Sequence, residues 1–103
     1  MPADPRFDEA IHARTRLRLC ALLRPLDAAS FSTLVDTLDV SEANLSKTIR
    51  NLIELGYVHT SKQTSPERAD SRRTTTVSLT CRGRTAFDGH ITALRELARP
   101  EAL

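Results

Sequence analysis

The stretch from Ser41 to Val58 reads SEANLSKTIRNLIELGYV and holds a whole helix together with the signals that start and end it. Serine is a preferred N-cap, and Gly56 can adopt the left-handed conformation that closes a helix. The apolar residues repeat at the spacing of one helical face: Leu45, Ile49, Leu52 and Ile53. This spacing predicts a helix that buries one face and then runs directly into a strand.

The opposite face of this helix is polar and basic, and it lacks the Glu–Lys pairs that are common on solvated helices. It consists of Ala43, Asn44, Lys47, Arg50, Asn51 and Glu54. Asn, Lys and Arg hydrogen-bond base edges in the major groove of DNA, and serine hydroxyls suit phosphate contacts. We therefore expect DNA contacts from Ser41, Asn44, Ser46, Lys47, Arg50 and Asn51.

Capping residues and apolar periodicity predict two helices before this one and one after it. The first begins at Asp4-Pro5 and stops at Pro25, the second begins at Ser30, and the last begins at Thr80. Residues 57–64 and 73–80 have the alternation or the β-branched content of strands, and a polar hairpin loop separates them.

The predicted order is α-α-α-β-β-α, mainly α with a small β-hairpin, and this order defines a winged helix-turn-helix. We expect a single domain over residues 1–103. Its predicted parts are a helix-turn-helix at 30–56, a wing at 57–80 and a C-terminal dimerisation helix at 81–98.

Positive charge is concentrated in the second half of the chain. The net charge is +2, yet Lys and Arg outnumber Asp and Glu by eight to four between Ser41 and Arg84. Arg68, Arg72 and Arg73 lie at or beside the hairpin tip, from which a guanidinium group can reach the minor groove or a phosphate. The pattern favours double-stranded DNA as the partner.

The last predicted helix carries an apolar stripe that a domain of this size does not need for its own core. The stripe is Phe87, Ile91, Leu94 and Ala98, and we expect Phe7 and Ile11 of the first helix to join it. A two-fold homodimer would bury these residues and would recognise an inverted-repeat site.

Two segments, ANLSKTIRNLIELGYV and DSRRTTTVSLTCRGR, resemble the winged-helix core of MarR and ArsR-like bacterial regulators, and most closely the short, stand-alone members. The resemblance implies a homodimeric, sequence-specific transcriptional regulator, for which we expect repression. It also implies that Ser41, Asn44, Ser46, Lys47 and Arg50 line the recognition surface, with Arg72 and Arg73 in the wing. From the resemblance we expect no counterpart of the longer terminal helices that frame the ligand pocket of full-length MarR proteins.

The composition, 40% hydrophobic and 27% charged, is that of a folded domain. The sequence has no apolar run of about 18 residues and no apolar signal segment, which predicts a cytoplasmic protein. It contains no nucleophile elbow, no glycine-rich phosphate loop and no HExxH motif, so we predict no enzymatic activity, no cofactor and no metal.

Two alternatives stay open. The winged helix could serve as a protein-interaction module, in which the apolar stripes and not the basic face carry function. It could also be a thiol- or metal-responsive regulator. Cys81 lies beside Arg82 and Arg84, while Asp88 and His90 are similar to half of the metal site on the terminal helix of ArsR-type sensors. His12 and His59 are isolated in the sequence, which argues against metal sensing.

Overall fold

A computed structural model of the chain describes residues 3–64 and 73–102. Its helices are α1 (Glu9–His12), α2 (Arg14–Leu23), α3 (Phe31–Leu38), α4 (Glu42–Glu54) and α5 (Cys81–Leu97), followed by a 3-10 turn at Pro100–Ala102. Its strands are β1 (Ala29–Ser30), β2 (Val58–Thr64) and β3 (Arg73–Leu79). The predicted winged-helix class, mainly α with a small antiparallel sheet, is confirmed. The predicted loop residues 65–71 lie outside the described residues.

The helix starts that the sequence predicts from side-chain caps are confirmed at three places. Ser30 Oγ accepts from the Thr33 amide at 3.2 Å before α3, and Ser41 Oγ accepts from the Asn44 amide at 3.0 Å before α4. Thr80 Oγ1 accepts from the Gly83 amide at 2.9 Å before α5. Each cap satisfies a backbone N–H that the helix itself leaves without a partner.

The sheet contains one strand more than the predicted hairpin. Its order is β1-β3-β2, and every pairing is antiparallel. β1 is only two residues long, with Ala29 opposite Val77 and Ser30 opposite Thr76. A strand of two residues is too short to show an alternating pattern in the sequence. Its pairing also depends on a strand nearly fifty positions later in the chain, so no local signal predicts it.

The predicted first helix is wrong in its start and in its continuity. Helix α1 begins after Asp8, whose carboxylate accepts from the amides of Ala10 and Ile11, and not after Asp4. Residues 3–7 form no helix or strand, and the Arg6 amide donates to the carbonyl of Gly89 in α5 at 2.9 Å. Ala13 then adopts φ −60° and ψ 134°, which separates α1 from α2.

The core lies between the helices and the inner face of the sheet. Its buried members include Leu19, Leu23, Leu34, Leu45, Leu52, Val58 and Val77. The expectation that Ile53 shares this buried face is wrong, because its side chain is 43% exposed. Ile53 lies beyond the edge of the stripe formed by Leu45, Ile49 and Leu52, and it faces a groove toward the sheet.

The start of α5 packs directly against Tyr57, which lies between the end of α4 and β2. A Cβ on Gly83 would stand 2.0 Å from the carbonyl oxygen of Tyr57, so only glycine fits. Thr80 strengthens this junction, since its amide donates to Tyr57 O at 2.9 Å and its hydroxyl donates to Gly56 O at 2.6 Å. Gly56 itself has φ 79°, the left-handed conformation that the sequence predicts there. The base of the wing is therefore fixed to α5.

Candidate nucleic-acid interface

The polar face predicted for the third helix is the outer face of α4. Ser41, Asn44, Ser46, Lys47 and Arg50 are exposed, and Asn51 is half-buried. On the inner face Leu45 and Leu52 are fully buried, with Thr48 and Ile49 nearly so. The core thus holds α4 by one face and leaves a polar, basic face in solvent.

Asn44 is held in a defined orientation by its neighbours. Its backbone N–H donates to Ser41 Oγ, and its side-chain carbonyl accepts from Thr48 Oγ1 at 3.3 Å. Asn44 is exposed, and its NH₂ group forms no hydrogen bond with any described residue. An exposed NH₂ group donates, so it suits the acceptors that bases and phosphates offer.

A groove runs between α4 and the sheet. It has a volume of about 360 Å³, and its walls include Phe31, Ser46, Arg50, Ile53, Thr60 and Thr75. A second groove, of about 290 Å³, lies on the other side of α4, against the start of α2. The exposed face of α4 is therefore a ridge between two depressions.

The structure covers the predicted wing contacts only in part. The backbone of Arg73 begins β3, opposite Thr64 of β2, at the end of the hairpin remote from Gly56. Arg68 and Arg72 lie outside the described residues. Lys62, which the sequence places in a strand but not in the site, is exposed on β2 opposite Thr75. It adds a positive charge to the same hairpin.

The residues predicted at a dimer interface fall into two groups. Ile11 and Phe87 belong to the protomer's own core, with side chains 0% and 8% exposed. Ile91 and Leu94 are half-buried, whereas Phe7 and Ala98 are exposed. Leu97, which is not in the predicted stripe, is 68% exposed. Apolar surface therefore remains at the outer end of α5, but Ile11 and Phe87 contribute little of it.

A polar cluster joins the N-terminal segment to α5 and to the wing. The Asp8 amide donates to Nδ1 of the fully buried His90 at 3.0 Å, and His90 Nε2 lies 3.2 Å from His12 Nδ1. Asp8 also accepts from the Tyr57 hydroxyl at 2.6 Å. The expectation that His12 is isolated is wrong, since folding brings it against a residue 78 positions away.

Hydrogen bonding in this cluster fixes the proton positions. Because His90 Nδ1 accepts from Asp8, its proton lies on Nε2, which donates to His12. A protonated Nε2 is not a metal ligand. Among residues 3–64 and 73–102, no three His, Cys, Asp or Glu side chains are grouped in a way that could hold a metal ion. Burial lowers the pKa of His90, and the nearby His12 lowers it further.

The two cysteines differ in environment. Cys20 is buried among the leucines of α2, and this burial raises the pKa of its thiol to about 11. It stays protonated at neutral pH and acts as a small core residue. Cys81 is exposed at the first position of α5.

The capped helix α4, the antiparallel wing and the exposed basic face together define a winged-helix protein of the DNA-binding class. The family model described as "Winged helix DNA-binding domain" matches residues 15–98, and the chain belongs to this family. An uncharacterised protein of Methanocaldococcus jannaschii is 30% identical over 84 residues, which cover 82% of this chain and 87% of that protein.

Solved structures agree with this assignment. The transcriptional regulator homologue from Pyrococcus horikoshii superimposes with a TM-score of 0.82 at 25% identity, over 93% of this chain and 91% of that one. Lactococcus lactis ZitR, in a mutant form bound to DNA, gives a TM-score of 0.64 at 20% identity, over 88% of this chain and 59% of ZitR. ZitR is described as a zinc-responsive MarR family member, and at this identity the likeness concerns the fold alone. The predicted resemblance to winged-helix DNA-binding regulators is confirmed, and the likeness to a MarR family member holds for the fold.

Across the described residues, the structure contains no helix with the length and apolar character required to span a bilayer.

Proposed function

We propose that this protein binds a specific site in double-stranded DNA as a homodimer and represses transcription from the promoter at that site. The observation that carries the proposal is the outer face of α4, where exposed polar and basic residues lie opposite a fully packed inner face. A helix fits the major groove, and polar groups on its exposed face that form no hydrogen bond within the protein are available to base edges there.

The recognition surface of the proposal is the predicted set on α4. Lys47 and Arg50 would pair with guanine O6 and N7, while the oriented NH₂ group of Asn44 would donate to an acceptor on a base. Asn51, half-buried, lies at the margin of this surface. Ser41 and Ser46 would donate to phosphates on either side of it.

The wing supplies the second DNA contact of the proposal. Arg68, Arg72 and Arg73 would enter the minor groove or pair with phosphates beside the recognition helix. Because phosphate contacts carry no base readout and the minor groove offers only a degenerate one, an Arg72→Ala/Arg73→Ala double variant is expected to weaken binding to all duplexes, with little change in the preference among them.

The dimer of the proposal is formed by the apolar surface that the terminal segments leave exposed. Phe7, whose ring packs against His90 of α5, is 39% exposed and Leu97 is 68% exposed, and Ile91, Leu94 and Ala98 of α5 supply further apolar surface. A two-fold axis between such surfaces would place two α4 helices about 34 Å apart, on an inverted repeat. Leu97→Glu is expected to shift the protein from dimer to monomer in sedimentation velocity, and a wild-type monomer would contradict this part of the proposal.

Selection of bound duplexes from a random pool tests the proposal as a whole. We expect enrichment of an inverted repeat, and in titrations at one fixed salt concentration the enriched duplex should bind more tightly than a mixed-sequence duplex. A promoter that overlaps the enriched site should then lose reporter expression when the protein is supplied. A protein that ignores both duplexes even at low salt would instead favour the interaction-module alternative.

A further inference from the structure

We propose that the groove between α2 and α4 receives one phosphodiester strand of the duplex, so that the start of α2 forms a further part of the DNA interface. This inference rests on the proposed function and extends it to a surface that no sequence pattern marks. The interaction would be with the DNA backbone and would carry no base preference.

The chemistry of the groove suits a phosphate. Its walls include Arg14, Thr15 and Arg16 from α2, and Asn44, Lys47 and Asn51 from α4. Three of these side chains are cationic, the other three bear hydroxyl or amide groups, and none of the described residues that line the groove is acidic. A groove of this size with converging cations and neutral donors is complementary to a phosphodiester.

No described acid neutralises the cations of the groove, and a hydrogen bond positions one of them. Arg16 Nη1 donates to the carbonyl of Ala10 at 2.8 Å, which fixes its guanidinium and leaves further N–H donors free. Arg14 and Lys47 are exposed, and within the described part of the chain neither forms an ion pair. Their charge therefore remains available to an anion.

The position of the groove suits a strand of the same duplex that α4 would read. An α-helix is about 10–12 Å across, close to the width of the major groove at about 12 Å, so a helix seated there lies between two phosphate backbones. The groove lies on one flank of α4, and Lys47 belongs both to its wall and to the exposed face. A duplex read by α4 would thus bring a backbone to Arg14.

The break at Ala13 creates this arrangement. Because the chain is extended at Ala13, α2 begins beside α4 and presents Arg14 and Arg16 at the groove. A continuous first helix, as the sequence predicts, provides no reason to place these arginines near DNA. They also lie outside the basic part of the sequence between residues 41 and 84.

The test is the salt dependence of binding to a fluorescein-labelled, mixed-sequence duplex, measured by anisotropy for wild type, Arg14→Ala and Arg18→Ala. Arg18 is the matched control, since it is exposed on the same helix, carries the same charge and does not line the groove. We expect the log–log salt slope to become shallower by about 0.9 per bound protomer for Arg14→Ala and to stay unchanged for Arg18→Ala.

The outcomes separate this inference from the proposed function. If wild type binds the duplex and the two variants have equal slopes, the groove does not bind phosphate, although the proposed function stands. If wild type binds no duplex at low salt, both are wrong. Arg14→Ala should also weaken binding to a selected and a mixed-sequence duplex by the same factor, and a decrease confined to the selected duplex would overturn the assignment to backbone. Thermal unfolding should be the same for all three proteins, because Arg14 and Arg18 are both exposed.

Discussion

Polar residues are used in two different ways in this molecule. In the cluster of Asp8, His12, Tyr57 and His90, the polar atoms hydrogen-bond one another across segments that are far apart in the chain. On the outer face of α4, by contrast, the cations Lys47 and Arg50 form no ion pair with any described residue. Polar groups bonded inside the fold stabilise it, whereas cations left in solvent are available to a partner.

The largest expected effect comes from removing both cations of the α4 face. Lys47→Ala/Arg50→Ala should reduce the preference for a selected duplex over a mixed-sequence duplex by about 1–3 kcal/mol for each guanine that is no longer paired with a side chain. Its free energy of unfolding should stay within about 0.5 kcal/mol of wild type, because both side chains are exposed surface groups.

Arg18→Ala serves again as a control for the removal of one exposed charge, and it should leave the preference intact. The distinction between the hydrogen-bonded cluster and the outer face of α4 would fail on either of two results. The double variant could bind both duplexes as wild type does, or its free energy of unfolding could be much lower than that of wild type.

A smaller effect, on stability and not on DNA, is expected at Asp8. Its carboxylate caps α1 and accepts from the Tyr57 hydroxyl, so Asp8→Ala removes an N-cap and leaves a half-buried hydroxyl without its acceptor. The two changes together should cost about 2 kcal/mol in urea unfolding. Burial and the Asp8 hydrogen bond also raise the pKa of Tyr57, and the variant should lower it toward its ordinary value.

Asp4→Ala removes the same charge from an exposed residue nearby and should cost little. If the Asp4 and Asp8 variants have the same free energy of unfolding, the hydrogen bonds of the Asp8 carboxylate add no stability beyond that of its negative charge.

The parts of the fold that sequence reasoning captured depend on neighbouring residues. Ser30, Ser41 and Thr80 cap helices whose N–H groups lie three positions away, and Gly56 ends α4 by its own conformational freedom. The exposed face of α4 follows from its 3.6-residue period. Ile53 shows the limit of this argument, because periodicity orders residues around a helix but does not fix where a buried stripe ends.

The parts that sequence reasoning missed depend on distant partners. Asp4-Pro5 is a reasonable helix start by local rules, but this segment forms no helix, and the hydrogen bond from the Arg6 amide to the Gly89 carbonyl attaches it to α5. Likewise, neither the contact between His12 and His90 nor the groove beside Arg14 has a local signal. Both arise where α1 ends and α2 begins, at an Ala13 that no proline or glycine marks.

The smallest expected effect is a pH dependence of stability that arises at His90. Neutral His90 accepts from the Asp8 amide through Nδ1 and donates to His12 through Nε2, so protonation would put an N–H group against an N–H donor. Burial lowers the pKa of His90 and His12 lowers it further, whereas the charges of Asp8 and Glu9 partly oppose this. The unfolded chain, with an ordinary histidine pKa of about 6.5, therefore takes up the proton first as the pH falls.

The resulting stabilisation is fully present above about pH 6.5 and is lost as the pH falls through the lowered pKa of His90 in the folded protein. Urea unfolding measured between about pH 8 and about pH 5 should show this decline. His90→Asn keeps an acceptor for the Asp8 amide but does not titrate, so its stability should change less with pH. His59→Asn, at an exposed histidine that bonds only Ser78 among the described residues, should keep the wild-type dependence. If the free energy of unfolding depends on pH equally in wild type and His90→Asn, protonation of the buried histidine does not weaken the attachment of the N-terminal segment.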